Sequence, residues 1–152
     1  QITIAKKLKL PIIWHSQIPE INSFGNHKHT LDILNHEHAY TVGGIMHYFQ
    51  ADYTTAKKAI ENGFLISFAK PLLRQKHQKE IVEKIPLEHI VLETDSSPQP
   101  WKKNRSLWTE PKDTLLIAKK IAEIKKISLE TVMNATNDNI NQLFDNKFKK
   151  AN

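Results

Sequence analysis

The sequence predicts an α/β fold built on parallel strands, and three observations predict it. Four short apolar runs rich in Ile, Val, Leu and Phe are separated by stretches with helical apolar spacing. No hairpin turn of the Asn-Gly type joins one run to the next, so crossovers must link the strands, and right-handed crossovers give parallel pairs. Three of the runs also stop abruptly in a metal-competent side chain. These are Pro11-Ile12-Ile13-Trp14-His15, Val42-Gly43-Gly44-Ile45-Met46-His47 and Ile90-Val91-Leu92-Glu93-Thr94-Asp95. In barrels and open α/β sheets, chemistry sits at the carboxyl ends of strands. Four parallel strands make either a small open sheet or half of an eight-stranded barrel.

Residues 1–9 read as the last turns of an amphipathic helix feeding the first strand. Pro11 marks that strand's start, where a missing N–H is tolerated. The continuous apolar run Ile12-Ile13-Trp14 fits a strand covered on both faces. Residues 18–26 carry the breakers Pro19, Asn22, Gly25 and Asn26. A helix is expected from about His27 to His38, with Leu31 and Leu34 on one face beside His27 and His38, and with His29 and His36 opposite. Helical geometry then keeps those four histidines from converging on one ion. The second strand is expected from Val42 to Phe49, followed by a helix from about Tyr53 that ends at Asn62-Gly63. Phe64 to Phe68 forms the third strand and brings no ligand-type side chain. A helix from about Arg74 to Lys84 turns Ile81 and Ile85 inward and stops before Pro86. His89 to Asp95 is the fourth strand. A loop rich in Pro, Trp and basic groups spans Ser96 to Trp108, and Thr109-Glu110-Pro111 reads as a helix cap with an early proline. Leu115, Ala118 and Ala122, with Ile121 as a further candidate, line the helix that follows to about Lys126. Ser128 caps a last helix carrying Val132, Ala135, Ile140, Leu143 and Phe144. The whole of residues 1–152 reads as one domain.

The absence of cysteine excludes disulfides, thiolate chemistry and cysteine-held zinc, so any metal must be held by His, Asp or Glu. No apolar run approaches the ~18 residues a membrane span needs, and the first residues lack a signal-peptide core. The expected location is cytoplasmic, with no membrane partner. A net charge of +6 is compatible with a polyanionic partner such as nucleic acid, but lysine-rich helix surfaces are the commoner source of such an excess.

His15, His47 and Asp95, on three strand ends, can hold a divalent ion of the Mg, Mn or Zn type and leave positions open for water and substrate. Such an ion makes water a nucleophile at neutral pH, which serves hydrolysis of phosphodiesters, amides or lactones. Taken singly, each residue also has a plain role: a hydrogen-bonding loop histidine, or an aspartate capping the next helix.

Taken together, the motifs resemble the carboxy-terminal half of a TatD-type deoxyribonuclease, a branch of the metal-dependent hydrolases built on a (β/α)8 barrel. The resemblance rests on Leu10 to Ser16, Gly44 to Phe49, Gly63 to Phe68, Leu92 to Ser96, Glu110-Pro111 and Asn139 to Phe144, which keep the family's order and spacing across nearly the whole chain. It implies a partial barrel of strands five to eight with their helices. It also implies that His15 and His47 are metal ligands after the fifth and sixth strands, and that Asp95 is both a ligand and the group that activates water. Glu93, two residues before Asp95, is a supporting or structural residue. Arg105 is a candidate phosphate contact, with a solvated loop arginine as the plainer alternative. The implied activity is metal-dependent cleavage of DNA.

Departures from the family pattern carry their own implications. The family's first-strand His-x-His pair and the Glu after its fourth strand belong to a half that this sequence does not match. Gln17 stands where the family often has Arg, and Gln50-Ala51-Asp52 replaces a small Ser/Gly-rich turn. A half-barrel is expected to pair with its missing amino-terminal half or to self-associate. The alternative is a non-catalytic half-barrel remnant, or a fragment of a longer protein that lacks the first-strand His pair and the bridging Glu. A third option is an enzyme of the same superfamily acting on a small ester or lactone.

Overall fold

The computed structural model describes residues 1–16, 27–99, 101–104 and 108–148, with side chains to residue 144. Four strands form one parallel sheet in the order β1-β2-β3-β4. They are β1 (Ile12–Trp14), β2 (Gly44–Met46), β3 (Phe64–Phe68) and β4 (Ile90–Leu92). Trp14, Met46, Ile66 and Ile90 lie in one row across the sheet. Helix α1 (Ile2–Leu8) enters β1, and α2 (His27–His36), α3 (Tyr53–Glu61) and α4 (Lys76–Lys84) lie between strands in the sequence. Helices α5 (Thr114–Lys125) and α6 (Leu129–Phe148) follow β4. The strand-helix alternation read from the sequence is therefore realised as a parallel α/β sheet.

The core sits on one face of the sheet. Alternation along the strands puts Trp14, Met46, Phe64, Ile66, Phe68 and Ile90 on that face, where they pack with Leu31, Ala56, Ala59, Ile81, Val82, Ile117, Ile121 and Val132 from the helices. Burying each large side chain stabilises the fold by about 1.5–3 kcal/mol relative to leaving it in water. On the other face, Ile13, Ile45 and Leu65 share a row. Ile45 is buried, Leu65 is half-buried, and Ile13 on the edge strand is 61% exposed.

Gly44 sets how close β1 and β2 lie. A Cβ there would stand 1.8 Å from the Ile12 carbonyl oxygen, so no other residue fits without moving the strand. Gly43, at φ +61°, makes the turn just before it, and its carbonyl accepts from the Ile12 N–H at 3.0 Å.

Several boundaries differ from the sequence reading. The second strand is Gly44–Met46, not Val42 to Phe49, and the fourth is Ile90–Leu92, not His89 to Asp95. In both, the backbone leaves the strand conformation near its end, with φ 50° at Tyr48 and φ 51° at Asp95. Helix α2 stops at His36, because His38 turns left-handed at φ 54° and a 3-10 turn follows. Of its expected face, His27, Leu31 and Leu34 are buried, whereas His38 is exposed and pairs with the Tyr40 hydroxyl at 2.9 Å. Leu115 is exposed, whereas the expected Ala118, Ile121 and Ala122 of α5 are buried together with Ile117. Before α5, a capping box between Glu110 and Asp113 closes a 3-10 turn at Pro111–Asp113. Among the described residues, no helix is long and apolar enough to cross a membrane.

Candidate metal centre

The carboxyl ends of the strands gather the titratable groups. At the end of β2, the His47 N–H still donates to the Trp14 carbonyl of β1 at 2.9 Å. Tyr48 then adopts its left-handed conformation, and the Phe49 N–H returns to the Ser67 carbonyl of β3 at 3.0 Å. This short outward step presents the His47 and Tyr48 side chains while Phe49 is buried beneath them. Buried Gln78 of α4 fixes the loop from behind, donating through Nε2 to the Phe49 carbonyl at 2.8 Å.

The end of β4 is built the same way. The Glu93 N–H donates to the Phe68 carbonyl at 3.1 Å, extending the ladder one residue beyond Leu92. Asp95 follows in a left-handed conformation, uncommon for a non-glycine residue and a frequent mark of functional sites. The loop beyond is pinned at its far end, where Lys70 bonds Asp113 at 2.6 Å and Thr109 at 3.3 Å. The Lys70 ammonium and the Glu110 N–H hold the Asp113 carboxyl below its ordinary pKa.

Across β3, these two ends meet. His47 Nδ1 lies 2.6 Å from Glu93 Oε2, and His47 Nε2 lies 3.5 Å from Asp95 Oδ1. Glu93 Oε1 accepts the Tyr48 N–H. Side-chain exposure rises from 15% for Glu93 through 30% for His47 to 57% for Asp95, so the group opens outward from a covered base. Tyr48 lies beside it, its ring 6.1 Å from that of His47. Burial, reinforced by the Asp95 and Glu93 charges, pushes the Tyr48 hydroxyl pKa up, so it stays protonated and can donate.

His47, Glu93 and Asp95 each offer a ligand atom within 4.8 Å of the others, the one such group among the described residues. Two donors each about 2.0–2.2 Å from one ion, at octahedral or tetrahedral angles, stand roughly 3.0–3.5 Å apart. The 3.5 Å between His47 Nε2 and Asp95 Oδ1 fits that requirement. An imidazole nitrogen beside carboxylate oxygens also suits ions of the Zn, Mn and Mg type.

Of the residues singled out from sequence, His47 and Asp95 are therefore brought together. His15 stands next to them, exposed at the end of the edge strand, with its ring centre 5.6 Å from that of His47. Arg105 and Gln17 lie outside the described residues. Glu93 joins the group more fully than its sequence position indicated, and its two-residue spacing from Asp95 was the available signal. Ser16 bonds His27 Nδ1 at 2.6 Å, tying the end of β1 to the start of α2. Burial holds His27 below the ordinary histidine pKa, with Asp52 opposing and His15 adding to the effect.

Known proteins resemble this chain in sequence and in fold. The family described as TatD related DNase matches residues 1–145. An uncharacterized metal-dependent hydrolase of Bacillus subtilis (strain 168), YabD, is 33% identical over 149 residues, which cover 95% of this chain and 54% of that protein. Human deoxyribonuclease TATDN3 is 32% identical over 145 residues, covering 95% of this chain and 48% of its own length. The crystal structure of the Escherichia coli K12 TatD homolog YJJV superposes with a TM-score of 0.79 at 20% identity, over 95% of this chain and 53% of that one. The chain thus spans about half the length of the relatives it matches. With the match running through all four strands and both halves of the His47–Asp95 pair, the chain belongs to the TatD-related DNase family.

Proposed function

We propose that this chain is the carboxy-terminal half of a TatD-type hydrolase, one domain over residues 1–152 that supplies strands five to eight of a (β/α)8 barrel. Its proposed work is metal-dependent hydrolysis of DNA phosphodiester bonds in the cytoplasm. The observation that carries this reading is the 3.5 Å approach of His47 Nε2 and Asp95 Oδ1 at two parallel strand ends. That is where barrel enzymes place their chemistry, and human TATDN3 is named a deoxyribonuclease.

In this reading His15, His47 and Asp95 hold a divalent ion of the Mg, Mn or Zn type. The bound ion supplies a Lewis acid and lowers the pKa of water beside it. Asp95, the most exposed of the carboxylates at the site, accepts the proton of the attacking water. The Tyr48 hydroxyl, held protonated, donates towards the phosphate oxygens. Arg105 contacts a substrate phosphate from the loop after β4. In the same loop Trp101 is 72% exposed beside Lys102 and Lys103, which supports a nucleic-acid substrate, since exposed aromatic rings stack on bases of single strands. The net charge of +6 favours a polyanion. Strands β1 and β4 are the two edges of the sheet, and the exposed Ile13 lies on its open face. Pairing those edges with an amino-terminal half, or with a second copy, completes the barrel.

The test is a DNA-cleavage assay on the purified chain with added Mg, Mn or Zn, beside an Asp95→Ala control and a mass determination of the same sample. Metal-dependent cleavage lost in the control supports the reading. An intact monomeric chain with no cleavage supports the alternative, a fragment of a longer enzyme or a non-catalytic half-barrel remnant that keeps the fold. Ester hydrolysis without DNA cleavage points to a small-molecule substrate.

A further inference from the structure

We infer that Glu93 is a positioning residue that presets the His47 imidazole, and not itself a ligand of the ion. This rests on reading the strand ends as a metal site. The geometry points to it through both oxygens of the carboxylate. Oε2 lies 2.6 Å from His47 Nδ1, and Oε1 accepts the Tyr48 N–H. Both contacts are made to the end of β2, although Glu93 itself follows β4. An ionised carboxylate only accepts hydrogen bonds, so opposite one His47 Nδ1 is the donor across the 2.6 Å contact. A neutral imidazole with its hydrogen on Nδ1 keeps its lone pair on Nε2, the nitrogen that faces Asp95 Oδ1 at 3.5 Å. The acid therefore selects the tautomer that can ligate, and it fixes the plane of the ring.

The local backbone serves the same contact. Tyr48 holds a left-handed conformation, φ 50°, in which its N–H reaches the Glu93 carboxylate. Glu93 is only 15% exposed, while Asp95 is 57% exposed and faces outward. The two acids of this site thus divide into a covered one that grips β2 and an open one available to ion and water. A histidine ligand whose other nitrogen is held by a carboxylate is a recurrent arrangement around protein-bound metals.

Glutamine at this position separates the alternatives, because it keeps the size of Glu93 and removes one acceptor. Its amide has a single oxygen for two N–H donors. Either the Tyr48 N–H loses its partner, or His47 Nδ1 meets an NH2 group and the proton moves to Nε2. The experiment is nitrogen-15 NMR of the histidine tautomers in the metal-free chain, with His47 assigned by His47→Gln. Zinc titration calorimetry and cobalt absorption spectra are recorded on wild type, Glu93→Gln and Glu93→Asp. The expected wild-type form is Nδ1–H, with that preference lost in Glu93→Gln. Zinc affinity is expected to fall about 10–100-fold in Glu93→Gln, with the cobalt spectrum unchanged in shape, and Glu93→Asp is expected to recover part of the loss. An Nε2–H wild-type tautomer overturns the inference. So does a tautomer that Glu93→Gln leaves unchanged, or a cobalt spectrum that shows one carboxylate ligand fewer in that variant. Should Glu93→Gln not fold, the wild-type tautomer alone decides. A chain that holds the Nδ1–H tautomer through Glu93 yet binds no zinc supports the positioning role and refutes the metal reading, so the two fail separately.

Discussion

The first two strands end alike in sequence and differently in structure. Each is an apolar run stopping at a histidine, His15 after β1 and His47 after β2. His47 has a strand on either side, and Glu93 reaches it from beyond β3 to hold one ring nitrogen at 2.6 Å. His15 terminates the edge strand, and its ring is exposed beside that of His47, 5.6 Å away. Its neighbour Ser16 is spent on His27 of α2. A strand end becomes a fixed site when the next strands deliver partners to it; at a sheet edge the same motif supplies only a side chain.

The contrast is sharpest if the open carboxylate is removed. In a chain that cleaves DNA, Asp95→Ala is expected to lower kcat by about 10²–10⁴-fold, the usual worth of a positioned general base. Single-turnover assays with Mg or Mn check this, and a loss below tenfold would assign the proton transfer elsewhere. Gly44→Ala breaks the comparison from the other side. The added methyl group lands on the Ile12 carbonyl, so β1 must move away from β2 and carry His15 with it. A loss of about 3 kcal/mol or more is expected, because the obstacle is backbone and cannot change rotamer. Urea unfolding measures it, and an unchanged midpoint would mean that the two strands are not held at this spacing.

A smaller effect separates the histidines themselves. His47→Ala is expected to weaken zinc binding more than His15→Ala does, because Glu93 holds the His47 ring in place before the ion arrives. Calorimetric titration of both variants decides the order. Equal losses would show that His15 is fixed as firmly as His47 once an ion is bound.

Much of this was legible in the chain. Phe64 to Phe68 is a strand to the residue, because its β-formers are bounded by Gly63 and by the break before Pro71. Helix α3 starts at Tyr53, where the sequence places it, behind an Asp52 side chain that accepts the Thr55 N–H at 2.7 Å. Strand-end placement also put His47 and Asp95 on one rim of the sheet. What was illegible depends on backbone that side-chain patterns do not encode. Tyr48 and Asp95 adopt positive φ without being glycine, so the strands looked longer than they are. The grip of Glu93 on His47 joins residues 46 positions apart and requires the β2–β3–β4 order before it can be drawn. Leu115 fits a helical stripe yet lies at the start of α5, where the helix has already turned towards water.

The smallest expected effect concerns the tether behind the edge histidine. His27 is buried at the start of α2 and bonds Ser16 at 2.6 Å. Burial lowers its pKa in the fold, so the unfolded chain, titrating near 6.5, takes up a proton before the folded one does. The stability that neutral His27 contributes is full above that pH and is lost as pH falls from there towards the lower folded value. His27→Gln keeps a polar partner for Ser16 and removes the titration. The wild-type advantage over this variant is therefore expected to shrink as pH falls from 7.5 to 5, by at most about 1.4 kcal/mol per pH unit for one proton. Thermal unfolding of both chains across that range reads the difference, with the other histidines cancelling between them. An advantage that stays constant would show that the end of β1 is not anchored by a neutral His27, and that the edge strand depends on β2 alone.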